Sequence, residues 1–308
     1  MNCRQTSGFT LAMAQLLLLS GVAHAEEAPE QTLLRAQVLL DRAHFSSGEI
    51  DGRSGSNFKT ALTGFQRSRG LLADGQLGPK TWDALEQAAV PSLIDYTLVD
   101  ADVKGPYVKL PEDMIERSKL PTLGHTSIEE ALGERFHASP KLLRKLNPDT
   151  EFNAAGTVIK VPNVTDAAAL SGASKVVVDR SGRTLMVEDA DGKVIGQFPA
   201  STGSEHDPLP VGDWKIDSIA VDPVFYYNPE LFWDADPSHS KAQLPPGPNN
   251  PVGLVWIDLS KEHYGIHGTP EPSRVGKTES HGCIRVTNWT AKLLVDTVKA
   301  GMPVLLQE

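Results

Sequence analysis

Apolar positions along the chain change their period several times, and each change marks a unit. Between residues 30 and 90 they recur at three-to-four spacing, as in helices with one buried face. Within this stretch Asp51-Gly52, Gly55 and Ala61-Leu62 recur as Asp74-Gly75, Gly78 and Ala84-Leu85, a constant offset of 23 residues. Each copy reads as a tight Asp-Gly turn followed by a helix. Thr81, ahead of Trp82, is the expected N-cap of the last helix. A small helical bundle over 30–90 is the prediction. Residues 91–122 carry Pro91, Pro106, Pro111 and Pro121. Proline disfavours helix interiors and central strands, so the stretch reads as a linker.

A second small unit is expected over 123–163. Thr126-Ser127 precedes a helical run to Phe136, and Ser139-Pro140 opens another through Leu142, Leu143 and Leu146. Proline is at home in a first helical turn. Asn147-Pro148 closes that helix, and Gly156 to Pro162 reads as a short strand. From 174 to 307 the pattern becomes one of strands: Lys175–Asp179, Thr184–Glu188 and Val194–Phe198, joined by Arg180-Ser181-Gly182 and Asp191-Gly192. Asp-Gly between such runs is a hairpin signal. Long proline-rich connections follow, of a length that within a domain is usually functional. A helix through Trp289, Leu293, Leu294 and Val298 and a strand Met302–Leu306 close the chain. The fold class predicted is α+β and multidomain: a mostly β domain preceded by a helical bundle and a small α/β unit.

The N-terminus follows a different logic. Arg4 precedes an apolar stretch centred on Leu16–Leu19, which ends in Ala23-His24-Ala25. That is the layout of a secretory signal peptide over 1–25, cleaved after Ala25. The run is too short and too interrupted for a membrane span, and no transmembrane anchor is expected after cleavage. The protein is expected to be exported, to the periplasm or cell wall. The formal charge is −10, which makes nucleic acid a poor partner, since phosphate binding needs clustered cations.

Export sharpens the cysteine count. Of two cysteines, Cys3 leaves with the signal segment and Cys283 stays alone. A solitary thiol in an oxidising compartment is either an inert buried residue or a reactive one. Its neighbours favour reactivity: Tyr264-Gly265-Ile266-His267-Gly268-Thr269, then Ser280-His281-Gly282-Cys283-Ile284-Arg285. A thiol must lose its proton to attack a carbonyl, and a nearby imidazole can take it. The residues alone do not say which histidine does so. Gly282 lets backbone and substrate approach closely. The N–H groups of Gly282 and Cys283 are candidates for an oxyanion hole. Arg285 has the planar fork that holds a carboxylate, although a surface ion pair is an equally ordinary use. His263, His267, His281 and Cys283 are also metal-ligand types, but Gly265 and Gly268 spoil the helical spacing, and paired cysteines are missing. The aromatic run Phe225, Tyr226, Tyr227 and Trp233 is expected either to cover the site or to pack within its own loop.

Two segments resemble known families in the N-terminal half, and a third does so beyond it. Phe65-Gln66, Gly70-Leu71, Asp74-Gly75, Gly78 and Thr81-Trp82 resemble the three-helix peptidoglycan-binding domain. Residues 123–163 resemble a LysM-like module, with its opening strand poorly marked. The block from His267 to Arg285, with Ser201-Thr202-Gly203, Pro210-Val211-Gly212 and Pro245-Pro246-Gly247-Pro248-Asn249-Asn250-Pro251, resembles the L,D-transpeptidase (YkuD-like) catalytic family. One departure is Arg285, where many members have Asn. The resemblance implies Cys283 as nucleophile and His267 as base, its ring oriented by the Gly268 carbonyl. Ser280, His281, Gly282 and Arg285 would play supporting roles. It implies peptidoglycan stem peptides and glycan as partners, and no metal or organic cofactor. The acceptor stays open between a second stem peptide, water and the lysine of an outer-membrane lipoprotein. A wall-binding adaptor with an idle catalytic domain is the reading from another class.

Overall fold

The computed structural model describes residues 30–308; the expected signal peptide lies outside the described residues. Three helices come first: α1 (Glu30–Arg42), α2 (Ser56–Ser68) and α3 (Pro79–Leu85). In α2, Phe58, Ala61, Leu62 and Phe65 fall on one face and are buried, the spacing of an amphipathic helix. The internal repeat has a structural cause. The amide of Gln37 brackets the first turn, donating to Asp51 Oδ1 (3.0 Å) and accepting from the Gly52 N–H (2.8 Å). Gln66 does the same at the second turn, with Asp74 Oδ1 and the Gly75 N–H both at 2.9 Å. Gly52 and Gly75 have φ of 73° and 69°, conformations a side chain disfavours. Thr81 is not the N-cap that its sequence context suggests. Helix α3 starts three residues earlier, with Gly78 at the cap and Pro79 in the first turn. The Thr81 hydroxyl is buried and accepts from Gln66 Nε2 at 3.1 Å.

The stretch 91–122 is folded and does not behave as a linker. It contains strand β1 (Leu93–Thr97) and helices α4 (Asp100–Lys104) and α5 (Met114–Arg117). Next come α6 (Ile128–Arg135), α7 (Pro140–Leu146) and β2 (Val158–Pro162). Strand β1 pairs antiparallel with β2, so the small α/β unit opens at 93 rather than 123, with 98–127 inserted after its first strand. The prolines fall outside β1 and therefore leave its ladder intact. Ser127 and Ser139 cap α6 and α7. Helix α1 serves two cores: Leu33, Ala36 and Leu40 pack into the bundle, while Leu34 and Val38 pack with Leu132, Phe136, Leu143 and Val161 of the α/β unit.

The remaining strands are β3 (Lys175–Asp179), β4 (Thr184–Glu188), β5 (Val194–Pro199), β6 (Gly212–Val221), β7 (Phe225–Tyr227), β8 (Ala242–Leu244), β9 (Val255–Leu259), β10 (Gly265–His267), β11 (Ile284–Arg285) and β12 (Pro303–Gln307); α8 (Asn288–Thr297) lies between the last two. Eight form one mixed sheet in the order β11-β10-β9-β6-β12-β3-β4-β5, and β7 pairs with β8 apart from it. The core lies against this sheet, with Ala291 and Leu294 of α8 among its buried residues. The edge at β5 is covered by the bundle: the Gln197 N–H donates to the His44 carbonyl (2.7 Å), and the Ser46 N–H donates to the Gln197 carbonyl (2.9 Å). Covering an exposed strand edge removes a site for unwanted pairing. Among the described residues no helix is long and apolar enough to cross a membrane.

Candidate active site

Strand pairing assembles the site. Strands β10 and β11 run parallel, with His267 opposite Arg285, and β9 places Trp256 opposite His267 on the other side. Paired residues share a face of the sheet, and residues two apart on a strand share it again. Cys283 immediately precedes β11, so its side chain falls on the face that carries Arg285, His267 and Trp256. The Trp256 and His267 rings stack, with centroids 5.6 Å apart and planes at 19°. Gly265 makes the stack possible, since a Cβ there would sit 2.6 Å from the Trp256 ring.

His267 is 5% exposed, and its Nδ1 lies 2.6 Å from the Gly268 carbonyl oxygen. A carbonyl can only accept, so Nδ1 carries the proton and Nε2 is the basic nitrogen. Burial and the Arg285 cation lower its pKa to about 3, against a smaller opposing effect of the Gly268 carbonyl. The imidazole is therefore neutral at neutral pH. Burial pushes the Cys283 thiol up, while the Gly265 N–H and Arg285 pull it down and Asp258 adds to the rise. The net direction is upward, so the resting sulfur is a thiol. It donates to the His263 carbonyl at 3.6 Å, so the thiol's hydrogen bond goes to this backbone oxygen rather than to His267.

The nucleophile loop is held on both flanks. The Ser280 hydroxyl donates to the Cys283 carbonyl at 2.5 Å, and the Ser280 N–H donates to the Thr202 carbonyl at 2.9 Å. Ser201 and Arg285 exchange two backbone hydrogen bonds, at 2.9 and 2.8 Å. Gly282 has φ of +101°, and a Cβ there would press on the Tyr264 ring at 2.9 Å. His281 points away from the base: its Nε2 donates to Asp234 Oδ1 at 2.9 Å, and its ring contacts Phe232 and Trp233. The aromatic run packs within its own loop, with Tyr226 and Trp233 left exposed. Tyr227 is buried within its own segment, beside Phe225 and Phe232, while Phe232 and Trp233 reach the site through His281. The inserted residues 98–127 support that segment, with Leu110, Met114, Ile115 and Leu120 packed beneath it and His239 bonded to Asp113 at 2.9 Å.

Among the described residues Arg285 has no acidic partner within ion-pair distance, and its buried Nε lacks any hydrogen-bond acceptor. Burial lowers its pKa, with nearby Glu271 opposing. A buried, unmatched guanidinium edge is suited to an anionic ligand group. His263 lies exposed at a turn with φ of 68°, beside Glu262. Among the described residues no group of three His, Cys, Asp or Glu side chains is placed to hold a metal ion.

Residues without a motif of their own complete the site. Trp256 and Asp234 come from a strand and a separate loop, and only Trp256 sits in an alternating strand pattern that could have flagged it. Asn288 is 1% exposed and wedged behind the base. Its Oδ1 lies so close to Gly268 and Gly253 that a Cβ on either would approach within 2.2 and 2.0 Å.

A thiol, a neutral buried imidazole and an unmatched guanidinium on one sheet face are the equipment of an acyl-transfer site. Comparison with known proteins gives the class. The L,D-transpeptidase catalytic domain model matches residues 173–306, and a peptidoglycan binding domain model matches 30–85. Three relatives are named as L,D-transpeptidases. YqjB of Bacillus subtilis is 32% identical over 145 residues, 45% of this chain and 74% of that protein. YkuD of Bacillus licheniformis is 28% identical over 174 residues, covering 56% and 88%. YbiS of Escherichia coli is 24% identical over 186 residues, covering 58% and 59%. The chain belongs to the L,D-transpeptidase family and carries an N-terminal peptidoglycan-binding domain.

Proposed function

We propose that this chain is an exported peptidoglycan L,D-transpeptidase that forms 3-3 cross-links through a Cys283 thioester. The observation that carries the reading is the shared face of β10 and β11, with His267 and Arg285 on adjacent strands and Cys283 just before the second. The Cys283 sulfur attacks the L-centre carbonyl of the third residue of a tetrapeptide stem as its proton passes to His267 Nε2. Contacts of this kind commonly tighten only when substrate is bound. The Gly282 and Cys283 N–H groups receive the oxyanion. The C–N bond to D-Ala breaks, and His267 returns the proton to the leaving amine. The amine of a second stem then attacks the thioester, gives its proton to His267 and releases the thiol. Arg285 holds a carboxylate of the stem. Ser280 fixes the loop, and His281 anchors the aromatic segment over it.

The test is mass spectrometry of the protein incubated with a purified tetrapeptide muropeptide. The expected result is a Cys283-dependent acyl adduct followed by cross-linked dimer. Full turnover by Cys283→Ala would refute it. Tripeptide without dimer, in the presence of excess acceptor stem, would replace transpeptidation by hydrolysis.

A further inference from the structure

The pairings that set His267 beside Arg285 also order the next positions of the same face. One step back along the β10–β11 register, Cys283 falls beside Gly265. On the other side Gly265 pairs with Asp258, and Asp258 pairs with Ser218 of β6. Paired residues point to one face, so Cys283, Gly265, Asp258 and Ser218 form a row across this part of the sheet. The adjacent row holds Arg285, His267, Trp256 and Ala220. With neighbouring strands about 4.8 Å apart, the backbones of Cys283 and Asp258 are separated by about 10 Å. The glycine between them carries no side chain.

The Trp256 indole covers that gap. It leans over Gly265 and donates its Nε1–H to Asp258 Oδ1 at 3.2 Å, while its ring stacks on His267. The floor between thiol and carboxylate is therefore aromatic. Asp258 itself is half-buried and has no Lys or Arg within ion-pair distance among the described residues. Its Oδ2 makes no hydrogen bond there and is not sealed from solvent. The charge of Asp258 reaches the sulfur, where it opposes thiolate formation. A cationic group of the ligand would complete this carboxylate through a charge-assisted hydrogen bond, and would at the same time lift that opposition.

We infer that Asp258 is a specificity-determining residue for the donor stem, holding the side-chain ammonium of the residue whose carbonyl Cys283 attacks. The inference rests on the thioester chemistry proposed above. A 3-3 cross-link joins third residues, so the residue that gives its carbonyl also carries an amine. In a lysine-like chain the carbonyl carbon and that amine lie about 7 Å apart when extended. Such a chain reaches from an acyl group on the sulfur, over the indole, to a carboxylate one strand beyond Gly265. Its methylenes lie on the aromatic floor and its ammonium ends at Asp258 Oδ2. Held there, the amine is also kept away from its own thioester.

The experiment compares two tetrapeptide donors, one with the third-residue amine free and one with it acetylated. The readout is kcat/KM for release of D-Ala, which reports the steps up to the thioester, with the Cys283 adduct followed by mass spectrometry. The native protein is expected to prefer the free amine by about tenfold or more, the effect of one hydrogen bond between charged groups. Asp258→Asn keeps the shape and an oxygen for the Trp256 indole, and should bring the two donors within about twofold. A change in thiol acidity acts on both donors alike and cancels in the ratio. Ser218→Lys, at an exposed position opposite Asp258, sets an ammonium of the protein against the same carboxylate and should also shrink the preference. Equal use of both donors by the native protein, or a preference that survives both variants, would overturn the inference. So would an unchanged donor preference in Asp258→Asn with a tenfold loss of transfer to an amine acceptor relative to uncharged hydroxylamine, which would assign the carboxylate to the acceptor. Absence of any Cys283 adduct in the native protein would instead refute the proposed chemistry, and the inference with it.

Discussion

Asn288 is the joint between the N-terminal units and the base, and replacing it with Asp tests that joint sharply. Its Nδ2 donates to Glu134 Oε2 (2.7 Å) and to the Pro248 carbonyl (3.1 Å), and its Oδ1 accepts from the Leu254 N–H (3.2 Å). The partner Glu134 lies 154 positions earlier in the chain. Burial opposes ionisation of Glu134, but His125, the Asn288 amide and Lys292 more than offset it, and its pKa is held below the ordinary value. Asn288→Asp keeps the shape, removes both donated hydrogen bonds and sets a second carboxylate against the first. Each buried acceptor left unsatisfied costs about 1–3 kcal/mol. Repulsion at this separation adds a contribution of the same order. A loss of about 3–5 kcal/mol follows, a large share of the roughly 5–15 kcal/mol of a typical domain.

The cycle with Glu134→Gln separates the pair from mere damage. Glutamine alone keeps an oxygen for Asn288 to donate to and loses only the charge, about 1 kcal/mol. In the double variant the new glutamine amide can donate to the new carboxylate, which thereby regains a partner. The double variant should be more stable than Asn288→Asp alone by about 2 kcal/mol. The assay is urea unfolding of all four proteins, with kcat on a tetrapeptide donor alongside. Effects that simply add, within about 0.5 kcal/mol, would refute direct coupling between these residues. Unchanged kcat in a folded Asn288→Asp variant would refute its role in placing Gly268 behind the base.

Other predictions use single contacts. His267 has its pKa lowered from 6.5 to about 3 in the folded chain, so between those values the unfolded chain binds a proton that the folded chain does not. Stability should therefore fall as pH drops below 6.5, at up to about 1.4 kcal/mol per pH unit; unfolding midpoints measured across this range should show a flatter slope in His267→Gln. Gly265→Ala drives a Cβ to 2.6 Å from the Trp256 indole, and should lower stability by about 1–3 kcal/mol and reduce kcat as the stack on His267 shifts. Gly55→Ala, with open space around it at the N-cap of α2, loses only the cap preference for glycine over alanine, about 0.5–1 kcal/mol, and sets the clash-free baseline in the same melts. Gln66→Leu removes the partner of the buried Thr81 hydroxyl and the bracket on the Asp74-Gly75 turn, and should lower the thermal midpoint of the bundle, with turnover of a short soluble donor kept.

Where the sequence was legible, the physics was local. Helix starts at Ser127 and Ser139, the hairpin at Asp191-Gly192 and the strands from 175 to 198 are set by caps, turns and alternation, and they fall where those signals put them. The 91–122 stretch misled because its prolines are spaced widely enough to leave a five-residue strand between them, and β1 finds its partner only at 158–162. Strand β6, at the centre of the sheet, carries a weak pattern of its own: it is broken by a bulge between Ile216 and Ser218, which resets the alternation. Thr81 looked like a cap because a hydroxyl before an apolar run usually is one. Here a buried glutamine claims that hydroxyl. The His267 and Cys283 motifs were visible as strings, but their common face follows from a parallel register that no local pattern encodes. Asn288 gave no signal, since its partners at 134, 248 and 254 meet only in the folded chain.

Arg285 ties the electrostatics of the site together, because its charge acts in opposite senses on the two reacting groups. It makes imidazolium formation harder at His267 and thiolate formation easier at Cys283. Burial opposes charge on both, so the resting pair is thiol and neutral imidazole rather than a preformed ion pair. With the carboxylate binding proposed above, an anion beside the guanidinium weakens both effects together: His267 becomes more basic and the Cys283 thiol less acidic. On this reasoning Arg285→Gln should accept a proton at His267 more readily in the free protein, yet turn over more slowly. The two effects part in the measurement: the His267 resonance should titrate at higher pH by NMR, while KM for a carboxylate-bearing donor rises and that for the corresponding carboxamide does not. A variant whose KM rises equally for both donors would remove Arg285 from carboxylate recognition and leave it a purely structural cation.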